Sequence, residues 1–125
     1  MHKAVLVADD DALLRLVLSE MCREIGYDFL TACDGQDCLH MLSTHRTGIG
    51  AVLLDLHMPK MSGVEAAGVI RNDPSLDCRH LPVIALTADV RWHDPRKVED
   101  HGFDGVLEKP LKLDTLRTTL SALEI

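Results

Sequence analysis

The sequence lacks the features that are typical of membrane and secreted proteins. No apolar segment approaches the roughly 18 residues that a transmembrane helix needs. The first three residues lead straight into a strand-like run, without the apolar core of a signal peptide. The four cysteines include no C-x-x-C pair, so we expect reduced thiols rather than disulfides. We therefore predict a cytoplasmic protein that does not contact a membrane.

Positive charge is also scarce. The chain has 13 Lys and Arg against 20 Asp and Glu, a net charge of -7, and no basic stretch offsets it. A nucleic-acid partner would require such a stretch, so we expect none. The seven histidines include no H-x-x-x-H pair, and the cysteines are too close to them in sequence for a zinc finger. We therefore expect no zinc site and mostly surface histidines.

The length and composition are those of one globular domain. A chain of 125 residues with 46% hydrophobic content can bury its own core. There is no internal repeat, linker or low-complexity segment, and the last helical pattern runs to the end of the chain. We therefore expect residues 1–125 to form a single domain with no effector domain after it.

Short apolar runs alternate with amphipathic patterns along the whole chain. The runs predict strands at residues 4–8, 28–32, 51–54, 83–87 and 105–108. Apolar residues at helical spacing predict helices within residues 14–25, 35–44, 64–70, 95–101 and 113–123. This alternation predicts a doubly wound α/β fold with a parallel sheet and right-handed crossovers.

Reactive side chains follow four of the predicted strands. Asp9 and Asp10 follow the first strand, Asp55 the third, and Lys109 the fifth, while Thr87 ends the fourth. The carboxyl ends of parallel strands share one edge of the sheet, so these groups should converge. Acids, a hydroxyl and an amine at one edge predict a phosphoryl-transfer site.

Three carboxylates at such an edge would repel one another. Asp9, Asp10 and Asp55 would lie within a few ångströms, and a divalent cation would relieve the repulsion. An all-oxygen site with few carboxylates is typical of Mg²⁺. Asp11 has a simpler interpretation, as an acid at the amino end of the first helix.

The remaining groups have roles in the same chemistry. The Asp55 carboxylate can attack a phosphoryl group if cations neutralise the crowded oxygens. The Thr87 hydroxyl can donate a hydrogen bond to a phosphoryl oxygen, and Lys109 can pair with another as a point charge. Pro110 makes the bond after Lys109 a candidate cis peptide.

Four motifs together resemble the response-regulator receiver domain of two-component signalling. They are LVADDD at residues 6–11, LLDLHMPKMSG at 53–63, ALTA at 85–88 and EKP at 108–110. The resemblance spans the whole chain. It implies a flavodoxin-like, CheY-like fold of five parallel strands in the order 2-1-3-4-5 with five helices.

The resemblance also implies a role for each site residue. Asp55 would be the phosphoacceptor, and Thr87 and Lys109 would bind the phosphoryl group. Asp10 would ligate Mg²⁺ directly and Asp9 mainly through water, with the backbone carbonyl of His57 as a further ligand. The phosphoryl donor would be a histidine kinase or a histidine phosphotransfer protein. The chain would not be an enzyme beyond its own phosphorylation and dephosphorylation at Asp55.

One position departs from the family pattern. Receivers commonly carry Tyr or Phe three residues before the lysine, where this chain has Val106. We therefore expect a smaller rearrangement of the loop after Thr87 and the helix at 95–101, with output through residues 88–106 and the last helix. Trp92, Arg96 and Lys97 are the predicted contacts of that surface.

Several questions stay open at this point. His57 and Asp89 would flank the mouth of the site, either tuning how fast water reaches the acyl phosphate or as ordinary solvated loop residues. A phosphatase of the haloacid dehalogenase type is an alternative, although it would need a second aspartate where His57 stands. A flavin binder and a pseudo-receiver that is never phosphorylated are further alternatives. The chain could be a free-standing regulator or a segment of a hybrid sensor kinase.

Overall fold

The computed structural model describes residues 3–123 and residue 125. The strands are β1 (Ala4–Ala8), β2 (Phe29–Ala32), β3 (Ile49–Asp55), β4 (Val83–Thr87) and β5 (Gly105–Glu108). The helices are α1 (Ala12–Glu24), α2 (Gly35–His45), α3 (Gly63–Asn72), α4 (Pro95–Asp100) and α5 (Leu113–Leu123). Two short 3-10 turns lie at Arg46–Gly48 and Val90–His93.

The strands form one parallel sheet in the order β2-β1-β3-β4-β5. This confirms the predicted α/β class, the strand order and the five helices. Helix termini follow the expected capping chemistry. Asp11 caps α1 by accepting from two backbone N–H groups, and Ser62 with Glu65 forms a reciprocal capping box at α3. Asp94 caps α4 ahead of Pro95, as predicted.

Strand β3 is longer than the sequence pattern predicts. It begins at Ile49 rather than at residue 51 and includes Asp55. The sequence pattern does not indicate a strand at Gly50 because glycine has low strand propensity. A side chain there would meet the Lys3 Cβ at 2.9 Å and the Ile125 Cβ at 3.0 Å, so close packing at this edge favours a glycine.

The core has two layers, one on each face of the sheet. Along β1, Val5 and Val7 belong to the layer packed by α1 and α5, while Leu6 and Ala8 belong to the layer packed by α2, α3 and α4. This alternation follows from the two-residue period of a strand. The central strand β3 is buried throughout, as expected for a sheet covered on both faces.

The predicted burial of two cysteines and the predicted exposure of the histidines agree with the structure. All four cysteines are free thiols, and Cys22 and Cys38 are buried in the core as predicted. The six histidines from His40 to His101 are exposed, whereas His2 lies outside the described residues. Within the described part of the chain, no helix is long and apolar enough to cross a membrane.

Candidate functional site

Three carboxylates meet at the carboxyl edge of the sheet. Asp9 directly follows β1 and Asp55 ends β3, two strands that pair through Ala8 and Leu54. One oxygen from each of Asp9, Asp10 and Asp55 lies within 4.8 Å of the others. Asp9 and Asp55 are buried, whereas Asp10 is exposed. The predicted acidic cluster is therefore present in the fold.

Lys109 lies between the two buried acids. Its Nζ is 3.1 Å from Asp9 Oδ2 and 3.3 Å from Asp55 Oδ1. The backbone N–H of Lys109 donates to the carbonyl of Thr87, which fixes the residue just beyond β5. The peptide bond between Lys109 and Pro110 is cis, as the sequence suggested. Lys109 thus pairs with two carboxylates from the far end of the chain.

The electrostatics of Asp55 reflect this crowding. Burial raises the pKa of the Asp55 carboxyl, and the charge of Asp9 raises it further, against the opposing effect of Lys109. Burial by itself lowers the pKa of the Lys109 ammonium. Its hydrogen bond to Asp9 and the charges of both acids outweigh burial, so the pKa of Lys109 is raised overall. The site therefore has an excess of negative charge.

Hydrogen bonds hold both the backbone and the carboxylate of Asp9. Its backbone N–H donates to the Ala32 carbonyl at 3.1 Å. Its carbonyl accepts from Arg15 Nη1 at 2.7 Å, and its Oδ1 accepts from the Asp11 N–H at 2.9 Å. Asp11 itself caps α1 rather than joining the acidic cluster, which confirms its simpler interpretation. Asp9 is thus a fixed element of the site.

Thr87 lies at the same edge but has a different partner. The side chain is buried, and its hydroxyl accepts from the Asp89 N–H at 3.0 Å. Among residues 3–123 it has no hydrogen bond to the three carboxylates. Asp89 is held in turn by Arg91, whose Nη2 lies 2.6 Å from Asp89 Oδ2. This pair lowers the pKa of Asp89 to about 2. Thr87 is therefore connected to the loop that follows it.

The loop after β3 places Asp55 against the amino end of α3. Asp55 Oδ1 accepts from the His57 N–H at 3.3 Å. The Gly63 N–H donates to the Leu56 carbonyl at 3.1 Å, and a side chain at Gly63 would clash with the Asp55 carbonyl. A glycine is required here because two backbone segments approach closely. The predicted metal contact of the His57 carbonyl stays a prediction.

The donor set fits Mg²⁺. Carboxylate oxygens are the ligands that this ion prefers, and the cluster carries three negative charges against the one positive charge of Lys109. The exposed Asp10 leaves access from solvent, which suits an ion that keeps several waters. Lys109 neutralises only part of the negative charge of this cluster, and a bound cation would neutralise more of it.

Sequence reasoning missed Arg15 and the burial of Trp92. Arg15 contacts the site through a backbone carbonyl, and an arginine on an amphipathic helix gives no sequence signal for that. Trp92 is a predicted contact of the output surface, but the sequence did not indicate its burial. It is 6% exposed and packs edge-on against Phe103 and His101. Its ring is large and apolar, so it joins the core beneath α4.

Comparison with known proteins agrees with this geometry. The family described as response regulator receiver domain matches residues 5–121. The sensor histidine kinase RcsC of Salmonella typhimurium is 35% identical over 117 residues, which cover 94% of this chain and 12% of that protein. The chain thus spans a small part of the curated sensor kinases that it matches.

Two solved structures share the fold. The receiver domain of the sensor histidine kinase PA1611 from Pseudomonas aeruginosa, with a magnesium ion coordinated in its active-site cleft, has a TM-score of 0.84 and 27% identity, covering 98% of both chains. The receiver domain of Ssk1 from Saccharomyces cerevisiae, in complex with the phosphotransfer protein Ypd1, has a TM-score of 0.83 and 25% identity, covering 96% of this chain and 87% of that one.

The chain belongs to the response regulator receiver domain family. It is a phosphoacceptor receiver domain of two-component signalling, as its motifs predicted.

Proposed function

We propose that Asp55 is the residue that accepts the phosphoryl group, from a phosphohistidine of a histidine kinase or a histidine phosphotransfer protein. The observation that carries this proposal is the position of Asp55 at a strand end, beside two further carboxylates and with Oδ1 3.3 Å from Lys109 Nζ. An Asp55 oxygen forms a bond to phosphorus while the bond from phosphorus to the histidine nitrogen breaks. The bonding electron pair stays on the imidazole.

The other site residues stabilise the charge of the transferring group. Lys109 pairs with one phosphoryl oxygen, and the Thr87 hydroxyl donates to another. Asp9 and Asp10, with Asp55 and the His57 carbonyl, would hold Mg²⁺. When bound, this ion supplies positive charge that offsets the negative charge of the carboxylates and phosphoryl oxygens. Water then releases the phosphoryl group from Asp55, so the chain undergoes phosphorylation and dephosphorylation but is not an enzyme for other substrates.

The surface beside the site supports a protein as phosphoryl donor. Helix α1 starts directly after the acidic segment, and it exposes three apolar side chains at helical spacing. Leu13 is 68% exposed, Leu16 58% and Val17 40%. Large exposed apolar side chains on one helix face are typical of a protein contact surface. The yeast receiver in complex with a phosphotransfer protein has the same fold.

The output runs through the loop after Thr87. Its hydroxyl accepts from the Asp89 N–H, and the Asp89 carbonyl accepts from the Trp92 N–H at 3.1 Å. When Thr87 turns toward a phosphoryl oxygen, this connection moves the turn at Val90–His93 and then α4, which is anchored by Val98. The signalling surface is therefore residues 88–106 with the last helix.

We extend the proposal to the molecule as a whole. Residues 1–125 form a single receiver domain that acts in the cytoplasm, without contact to nucleic acid or membrane. Both a free-standing regulator and a receiver within a longer sensor kinase are compatible with this function. The net charge of -7 supports the absence of a nucleic-acid partner.

Phosphorylation from a small donor tests the assignment. The protein is incubated with acetyl phosphate and Mg²⁺, and intact mass is measured before and after base treatment. We expect one base-labile phosphoryl group in the wild type and none in Asp55→Asn. Asp11→Asn is the matched control, because Asn also caps helices and Asp11 lies outside the acidic cluster.

Two results would contradict the proposal. Phosphorylation of Asp55→Asn at the wild-type rate would exclude Asp55 as the acceptor. Continuous release of inorganic phosphate from many phosphomonoesters would indicate a phosphatase instead.

A further inference from the structure

Arg15 reaches from α1 back to the segment that carries the carboxylates. Its Nη1 donates to the backbone carbonyl of Asp9 at 2.7 Å, and the residue is half-buried. The bond is made to the neutral backbone carbonyl of a residue whose side chain belongs to the cluster of three carboxylates. Arg15 therefore acts on the backbone of the site rather than as a counterion of one acid.

The carbonyl that Arg15 holds belongs to the peptide unit before Asp10. The peptide unit after Asp10 is held by the Asp11 N–H, which donates to Asp9 Oδ1 at 2.9 Å. Two hydrogen bonds thus fix the two peptide planes on either side of Asp10. Together these planes set the direction in which the Asp10 side chain leaves the backbone.

Asp10 depends on its backbone more than its neighbours do. The carboxylates of Asp9 and Asp55 are held by Lys109 and by backbone N–H groups. Across residues 3–123, no donor lies within hydrogen-bond distance of the Asp10 carboxylate. The side chain can rotate about its own torsions, so the backbone direction at Asp10 is the constraint that brings its carboxylate toward the other two acids.

We infer that Arg15 is a positioning residue for the magnesium site, because its bond to the Asp9 carbonyl orients the Asp10 carboxylate toward Asp9 and Asp55. This inference rests on the proposed function, since it requires that these acids hold Mg²⁺. Residues that orient metal ligands in this way raise affinity by reducing the ordering that binding requires. The chemistry that Arg15 serves is thus cation binding rather than phosphoryl transfer.

The direction in which Mg²⁺ affinity changes when Arg15 is replaced distinguishes a positioning role from an electrostatic one. A guanidinium near the site repels Mg²⁺, so removing its charge would by itself strengthen Mg²⁺ binding. Loss of the hydrogen bond to the Asp9 carbonyl would weaken binding instead. A substitution that removes both therefore reveals which effect is larger.

The experiment is a calorimetric titration with Mg²⁺ of the wild type, Arg15→Gln, Arg15→Lys and Arg23→Gln, well below the melting temperature. Arg23 is the matched control, because it lies on the same helix and its side chain is 64% exposed in an ion pair with Glu20. We expect Arg15→Gln to raise the Kd for Mg²⁺ about tenfold. The Kd of Arg15→Lys should lie between those of the wild type and Arg15→Gln, since lysine keeps a donor and the positive charge. The Kd of Arg23→Gln for Mg²⁺ should stay within about twofold of the wild-type value, because exposed charges are screened.

The outcomes distinguish this inference from the proposed function. An Arg15→Gln Kd equal to or lower than that of Arg23→Gln overturns the positioning role and leaves the magnesium site intact. A wild type that does not bind Mg²⁺ overturns both. If Arg15→Gln does not fold, Arg15→Lys decides. A Kd above that of Arg23→Gln then supports the inference, and an equal Kd overturns it.

Discussion

Lys109 and Asp9 form an ion pair across 100 positions of the sequence, with Nζ 3.1 Å from Oδ2. The pair joins the loop after β5 to the end of β1, and the same Nζ reaches Asp55 at 3.3 Å. One ammonium thus pairs with two buried carboxylates, while Asp10 lies beside them without a partner among the described residues. This imbalance determines how the site should respond to substitutions and to cations.

Asp10→Ala should weaken Mg²⁺ binding without loss of stability. We expect the Kd for Mg²⁺ to rise about tenfold or more, because a proposed ligand is lost. In EDTA, the free energy of unfolding should stay constant or rise by at most about 1 kcal/mol, since an exposed like charge is removed. Urea denaturation and Mg²⁺ titration measure the two effects. Asp100→Ala on α4 is the control, and a marked loss of stability in Asp10→Ala alone would contradict the prediction.

Mg²⁺ alone should raise the melting temperature. The folded state assembles the three carboxylates, so a Mg²⁺ concentration of ten times Kd should stabilise it by about 1.4 kcal/mol. For a domain of this size, that corresponds to a shift of about 5 °C. The reference is EDTA with NaCl at matched ionic strength, which screens the net charge of -7 equally. An unchanged melting temperature in millimolar Mg²⁺ would indicate a site that cannot hold the ion.

Trp92 should report the activated state. It is buried against Phe103 and His101, and Lys97 Nζ lies 4.6 Å from its ring centroid. Beryllofluoride with Mg²⁺ imitates the phosphoryl group, so displacement of the turn at Val90–His93 should change its fluorescence. The response should be absent in Asp55→Asn.

Amide exchange provides an independent check of the same switch. Changed exchange in residues 88–101 would agree with the Trp92 response. A change confined to residues 35–45 would show that the signal leaves through another surface.

Replacement of the partly exposed Arg71 should reduce the free energy of unfolding. Its guanidinium donates to the carbonyls of Gly102, Arg79 and Leu81 and to the Asp104 carboxylate, tying α3 to the starts of β4 and β5. Arg71→Ala should cost about 2–4 kcal/mol, because these acceptors lose their donor. Urea denaturation measures the loss. Arg96→Ala, which changes an exposed arginine on α4, should cost less than about 0.5 kcal/mol. Equal losses in both variants would contradict the role of Arg71.

The acidic cluster and its lysine were predictable because the positions of the strand ends are encoded locally, whereas the order of the strands in the sheet came from the resemblance to the receiver family. Each apolar run is followed by its reactive residue, and parallel strands place their carboxyl ends at one edge. The start of β3 at Ile49 was not predictable, since Gly50 interrupts the strand pattern and its tight packing depends on Lys3 and Ile125. The burial of Trp92 was missed for a similar reason: its neighbours Phe103 and His101 follow it by about ten residues.

The sequence by itself determined the alternation of strands and helices, the parallel sheet, and the group of residues that meet at its carboxyl edge. These follow from periodicity and from the chain order of strand ends, which are local properties. The tertiary structure decided which carboxylates Lys109 compensates, that Thr87 is bonded to Asp89, and that Arg15 holds the backbone before Asp10. Those relationships depend on side-chain direction and on distances between segments, and both are fixed only when the elements pack together.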